Sequence, residues 1–121
     1  MLEHARRKFF ELADIAANAR RGKNAAPISP IALEAVKRID ALFDIERDNN
    51  GATTEERLAA RGSRSVPLVA ALEEWMRAER ATLSRHNAVA KAIDYMLTRW
   101  PAFVRFLEDG RICLKIGRAH V

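Results

Sequence analysis

Apolar residues recur along this chain at spacings of three and four, the period of a helix buried along one side. Over residues 2–19, Leu2, Ala5, Phe9, Leu12, Ala13 and Ala16 share one face. The run Arg20-Arg21-Gly22-Lys23 should end that helix, because cations favour the carbonyl end of a helix dipole and glycine supports a stop. Ser29-Pro30 opens a second helix with a capping hydroxyl followed by proline at the first helical position. Leu33, Val36, Ile39 and Phe43 give its buried stripe, and Asp48-Asn49-Asn50-Gly51 is turn chemistry that closes it.

Thr53 and Glu56 have capping-box spacing and start a third helix. Leu58, Ser65, Leu68, Leu72, Trp75 and Leu83 keep a near-heptad register along it, interrupted at Gly62-Ser63 and Pro67. Proline removes a backbone donor and crowds the carbonyl one turn back, so a kink is expected there. Ser84 or Asn87 caps a fourth helix lined by Val89, Ile93, Leu97 and Trp100, which breaks before Pro101. A short apolar helix holding Phe103, Val104, Phe106 and Leu107 precedes an Asp109-Gly110 turn. Ile112, Leu114 and Ile116 then alternate with Cys113 and Lys115, as a strand would. The pattern predicts an all-α fold: a bundle of four to five helices with one short C-terminal strand.

A length of 121 residues suits one domain, and 49% hydrophobic residues argue against global disorder. The formal net charge of +5 favours a polyanionic partner such as DNA. Two groups carry that charge most compactly: Arg6, Arg7 and Lys8, and, about 20 Å further along the same helix, Arg20, Arg21 and Lys23. Both could touch phosphates on one duplex; the competing reading is a solvated helix face with dipole-favoured cations at its end. Asp40, Asp44 and Glu46 fall toward the polar side of their helix, and Glu73, Glu74 and Glu79 alternate with Arg77 and Arg80 as exposed faces do. No acid pair stands out as a general acid and base.

His4, His86 and His120 are far apart in sequence, and none stands at ligand spacing from Cys113, so no metal site is expected in this chain. His4 reads as a capping or half-buried histidine. Five scattered glycines make no phosphate loop. Phe9, Phe10, Trp75 and Trp100 follow or flank the buried stripes and read as core rather than as platforms for stacked bases. A single cysteine precludes an internal disulfide and fits a reducing cytoplasm. No apolar run approaches the ~20 residues that span a bilayer, so no membrane association is expected.

Three stretches of the chain, in order, resemble the insertion sequence 66 family of transposases. They are His4-Ala5-Arg6-Arg7-Lys8-Phe9-Phe10-Glu11; Ala92-Ile93-Asp94-Tyr95-Met96-Leu97 running on to Arg99-Trp100; and Phe103 with Phe106-Leu107-Glu108-Asp109-Gly110-Arg111-Ile112. The resemblance implies a DDE-type bacterial enzyme with an RNase H-like core. Three carboxylates there hold divalent metal ions, Mg in the usual case, for DNA cleavage and strand transfer. It places the two aspartates before His4 and the glutamate after Leu114, in an Asn-Asn-x-x-Glu-Arg motif. Residues 1–114 would then be the helical insertion between the second aspartate and the glutamate. They would hold no catalytic residue and no cofactor, with His4 adjacent to the parent's active site by resemblance.

Two departures bear on the ends. Met1 stands where the family has a cysteine, as a start within a truncated gene would. Residues 115–121 replace the expected asparagines, and their Ile-Gly-Arg-Ala-His-Val run is what a common sequencing adapter encodes in frame. That tail is expected to be a read-through artefact. The alternative function is a stand-alone basic helical module that binds DNA or a protein; a third is a helical fragment that self-associates through an uncovered apolar face. Resequencing the locus is expected to reveal two aspartate codons upstream of Met1 and the Asn-Asn-x-x-Glu-Arg motif after Leu114. A read that keeps the same seven final codons would refute the artefact.

Overall fold

The computed structural model of the chain describes residues 2–13 and 29–112. Helix α1 spans Leu2–Ala13 and α2 spans Pro30–Asp48. A continuous helical run follows, made of α3 (Thr54–Ala60), a π-helical turn (Arg61–Ser65) and α4 (Val66–Arg80). Helix α5 spans Ala88–Thr98, and the one-turn α6 (Trp100–Phe103) leads into a 3-10 turn at Arg105–Leu107. The described residues are helices and turns without a strand. Ile112 lies in irregular backbone, and the rest of the expected strand, like residues 14–19 of the first expected helix, falls outside the described residues.

The helix starts form as local chemistry dictates. The Ser29 hydroxyl accepts from the Ala32 amide at 3.2 Å, with Pro30 behind it. Thr53 accepts from the Glu56 amide at 3.1 Å while Glu56 accepts from the Thr53 amide at 3.0 Å, a complete capping box. Asn87, rather than Ser84, caps α5, its side-chain oxygen accepting from Val89 at 2.7 Å and Ala90 at 3.4 Å. Between α2 and α3, Gly51 takes φ +87°, a conformation that L side chains rarely adopt.

Four helices close the core in the order α1–α2–α4–α5, with α5 returning to α1. Leu2, Ala5, Phe9 and Ala13 of α1 are buried, and Ala32, Ala35, Val36, Ile39, Leu42 and Phe43 face them from α2. Alanines on both of these faces let α1 and α2 approach closely. Leu33, expected in the stripe, is only half-buried, because Ala32 and Ala35 take the inward positions. Val89, Ala92, Ile93 and Met96 line α5, and Phe103 and Phe106 close one end.

The register of α4 differs from the expected one. Ser65, Val69, Leu72 and Met76 are buried, while Leu68 is 39% exposed and Trp75 half-buried. The reason lies one turn earlier. Pro67 has no amide to give, and its ring would crowd the carbonyl four residues back. The chain widens into a π turn just before it, with the Val66 amide donating to the Arg61 carbonyl five residues away. Past that turn the stripe keeps the expected Ser65 and Leu72 inward and takes Val69 and Met76 in place of Leu68 and Trp75. Phe10 also departs from expectation: it is 38% exposed, one position off the α1 stripe.

The same turn delivers Arg61 to the interior, where its side chain is 0% exposed. Its Nε donates to Glu46 at 2.9 Å and its Nη2 to the other Glu46 oxygen at 2.7 Å. Nη1 donates to the carbonyls of Phe106 at 2.8 Å and Asp109 at 3.1 Å, and Nη2 to that of Ile112 at 2.7 Å. All five guanidinium N–H groups are thereby matched. The guanidinium carbon also lies 5.0 Å from the Phe106 ring centroid. Glu46, expected on a polar face, is instead 8% exposed and belongs to this pair. One turn before, Arg57 donates to the Gly110 carbonyl at 2.6 Å and to that of Ala52 at 3.1 Å. Gly110 packs so closely that a Cβ there would meet the Thr54 carbonyl oxygen at 2.7 Å.

Replacing Arg61 with Met strands the Glu46 carboxylate and three carbonyls, and should cost about 3–5 kcal/mol in urea unfolding. Glu46→Gln keeps the shape and the carbonyl bonds and should cost distinctly less. Ser65 offers the opposite case. Its hydroxyl is buried with no hydrogen-bond partner among the described residues, so Ser65→Ala should raise stability by about 1 kcal/mol in the same assay.

Candidate nucleic-acid interface

Successive helical residues point about 100° apart, so a basic triplet cannot act as one patch. Arg6, Arg7 and Lys8 accordingly go three ways. Arg6 crosses to α2, where Nε donates to Asp40 Oδ1 at 2.5 Å and Nη2 to Oδ2 at 3.3 Å. The hydrogen bond to Asp40 raises Arg6 above the usual arginine range despite partial burial. Its guanidinium also lies 5.5 Å from the Phe10 ring centroid. Arg6 is thus a tie between α1 and α2. Arg7 is exposed beside it, on the rim of a hollow of about 330 Å³ that Glu3, Asp40 and Arg47 also line. Arg20, Arg21 and Lys23 lie outside the described residues.

Lys8 turns to α5, its ammonium 4.8 Å from the Tyr95 ring centroid. Tyr95 gathers other groups as well. The Arg99 guanidinium lies 4.0 Å from the ring centroid and donates to the Tyr95 carbonyl at 3.3 Å. The His4 ring is 5.8 Å away, tilted by 55°, and Phe103 meets Tyr95 edge-on at 6.3 Å. His4 is exposed on the first turn of α1, neither half-buried nor a cap as its sequence context suggested. Lys91, one turn before Tyr95, joins Lys8, Glu11 and Leu12 around a groove of about 260 Å³ between α1 and α5.

The pairing of charges sets this seam apart. Arg38, Arg47, Arg64 and Arg77 pair with Glu34, Asp44, Asp48 and Glu73 respectively, and Arg80 crosses from α4 to Asp94 on α5 at 2.8 Å. Arg111 pairs with Asp109, whose carboxyl is held below its ordinary range first by that side-chain hydrogen bond. Arg7, Lys8, Lys91 and Arg99 have no carboxylate partner among the described residues. Lys37, Arg57, Arg85 and Arg105 also lack a carboxylate partner among the described residues, but they are scattered, whereas Lys8 and Arg99 share the Tyr95 ring and Lys8 and Lys91 share one groove. Lys91, Tyr95 and Arg99 carry a sequence signal, the i, i+4, i+8 spacing of one helix face, but nothing in the sequence shows that this face meets Lys8.

No group of three or more His, Cys, Asp or Glu among the described residues could hold a metal ion. No helix among them is long and apolar enough to cross a membrane. Chemically, the seam gathers ammonium and guanidinium groups, which favour a negatively charged neighbour.

Comparison with known proteins agrees with the family expected from the three motif stretches. The family model described as "Transposase IS66 family" matches residues 2–115. Three proteins of Sinorhizobium fredii (strain NBRC 101917 / NGR234) are similar. "Uncharacterized protein y4hP" is 62% identical over 118 residues, covering 97% of this chain and 21% of the relative. "Uncharacterized protein y4jD" is 35% identical over 111 residues, covering 92% of this chain and 20% of the relative. "Uncharacterized protein y4qI" is 32% identical over 109 residues, covering 90% and 18%. The chain spans about a fifth of the length of these relatives. No solved structure matches it. With the family model covering nearly its whole length, the chain belongs to the IS66 family of transposases.

Proposed function

We propose that this chain is a helical, non-catalytic part of a longer transposase that moves an insertion sequence by metal-dependent DNA cleavage and strand transfer. The observation that carries this reading is the family match across residues 2–115, set against relatives about five times longer. Within the whole protein, the part is the helical insertion of an RNase H-like core, and its role is to contact the DNA backbone. Arg7 and Lys8 offer that contact directly, with Arg20, Arg21 and Lys23 as further candidates; Arg6 contributes mainly by holding α1 to α2. His4 sits at the edge of the parent's active site.

The residues described here do not fit a two-metal centre. Asp40, Glu46, Asp94 and Asp109 are each engaged by an arginine, and the remaining acids do not converge. The carboxylates that hold divalent metal would come from the rest of the longer protein, and no step of the chemistry is assigned to this chain.

The purified chain should bind duplex DNA at low ionic strength, with affinity falling steeply as salt rises, because each neutralised phosphate releases counterions. It should neither nick nor join DNA in the presence of magnesium or manganese. Nicking that co-purifies with the chain through every step would contradict the non-catalytic assignment. Absence of salt-sensitive binding would contradict the backbone-contact role.

A further inference from the structure

We infer that the α1–α5 seam around Tyr95 is a sequence-independent phosphodiester-binding site, with Lys8, Lys91 and Arg99 as its binding residues. The inference rests on the reading of this chain as part of a DNA-handling protein and goes beyond it by locating the contact and its mode. Its first support is the charge map: around Tyr95, cations from α1 and from the C-terminal end of α5 meet without carboxylate partners among the described residues, whereas Arg38 and Arg47 of α2 and Arg77 and Arg80 of α4 are each paired with a carboxylate. Asp94, next to Tyr95 in sequence, is already taken up by Arg80.

The second support is spacing. Lys91 and Tyr95 lie on one face of α5, and Arg99, the residue capping its C-terminus, continues the row through its contact with the Tyr95 ring, over about 12 Å of helical rise. Successive phosphates of one DNA strand rise about 3.4 Å along the duplex axis while winding around it, so a row of this length reaches more than one phosphate. Lys8 stands alongside from α1, across the groove it shares with Lys91.

The third support is the state of the aromatic ring. Tyr95 holds the Arg99 guanidinium at 4.0 Å and the Lys8 ammonium at 4.8 Å, with Phe103 at its edge. A ring so occupied is not a platform for a base. It instead limits the freedom of two long cationic side chains, so that less side-chain entropy is lost when a phosphate docks. Binding should therefore read the backbone and not the bases. Glu11 is the carboxylate in the groove and should oppose it.

Fluorescence anisotropy of the full chain with two labelled duplexes of unrelated sequence, across a salt series, tests this. Wild type should bind both alike. The Lys8→Gln/Arg99→Gln double variant should lower the slope of log affinity against log salt by about 2, at roughly 0.9 per phosphate contact, equally on both duplexes. Glu11→Gln should tighten binding, and Arg77→Gln, on the far helix, should leave the slope unchanged. Tyr95→Phe keeps the ring and should bind as wild type, while Tyr95→Ala should bind more weakly with helical content preserved by circular dichroism. An unchanged slope in the double variant, or strong preference for one duplex, would overturn the site while leaving DNA contact elsewhere on the chain intact. No binding to either duplex at low salt would overturn both this site and the reading beneath it.

Discussion

The bundle depends on one buried guanidinium. Moving a charge out of water is costly, and the cost is offset only where the partner geometry is good and every donor is used. Arg61 meets both conditions through the Glu46 carboxylate and three backbone carbonyls. Lysine brings three donors from a single point, whereas the planar fork of arginine reaches α2 on one side and the C-terminal turns on the other. Phe106 anchors the 3-10 turn in the core, and these bonds, with those of Arg57, tie the backbone of that turn and of residues 109–112 to α2 and α3.

The π turn follows from the same need. A regular α-helix through residues 61–65 would conflict with Pro67 and would aim residue 61 elsewhere. Widening the turn satisfies the proline, points Arg61 and Ser65 inward, and sets Val69, Leu72 and Met76 on the core. The unpartnered Ser65 hydroxyl is a side effect of that geometry.

What the sequence made legible and what it hid divide along the range of the interactions. Caps at Ser29, Thr53 and Asn87, the Gly51 turn and the break before Pro101 were legible because each rests on neighbours a few residues apart. The all-helical fold and most of the α1 stripe followed from periodicity. In α4 the expected Ser65 and Leu72 are buried, but Val69 and Met76 take the places given to Leu68 and Trp75, since a heptad count assumes an unbroken helical period. Arg61 was invisible because its carbonyl partners lie 45 to 51 residues away and backbone acceptors leave no mark on sequence. The basic triplet at residues 6–8 was conspicuous, yet as a single patch it was misleading, since adjacency along a helix separates side chains in space. The cations around Tyr95 were dispersed in sequence and are assembled by packing.

The two glycines at opposite ends of the α3 neighbourhood divide the chain into places that accept alteration and places that do not. Gly110 is pressed against the backbone of Thr54, so lengthening or recutting the chain there would pull the clamped segment off its arginines. Gly51 stands in open space at an exposed turn, with no atom within 4 Å of where a side chain would begin. With Gly51 kept for its φ of +87°, a spectroscopic label on exposed Asn50, or a pair of new termini at that turn, would leave the four-helix core and the guanidinium beneath it unchanged.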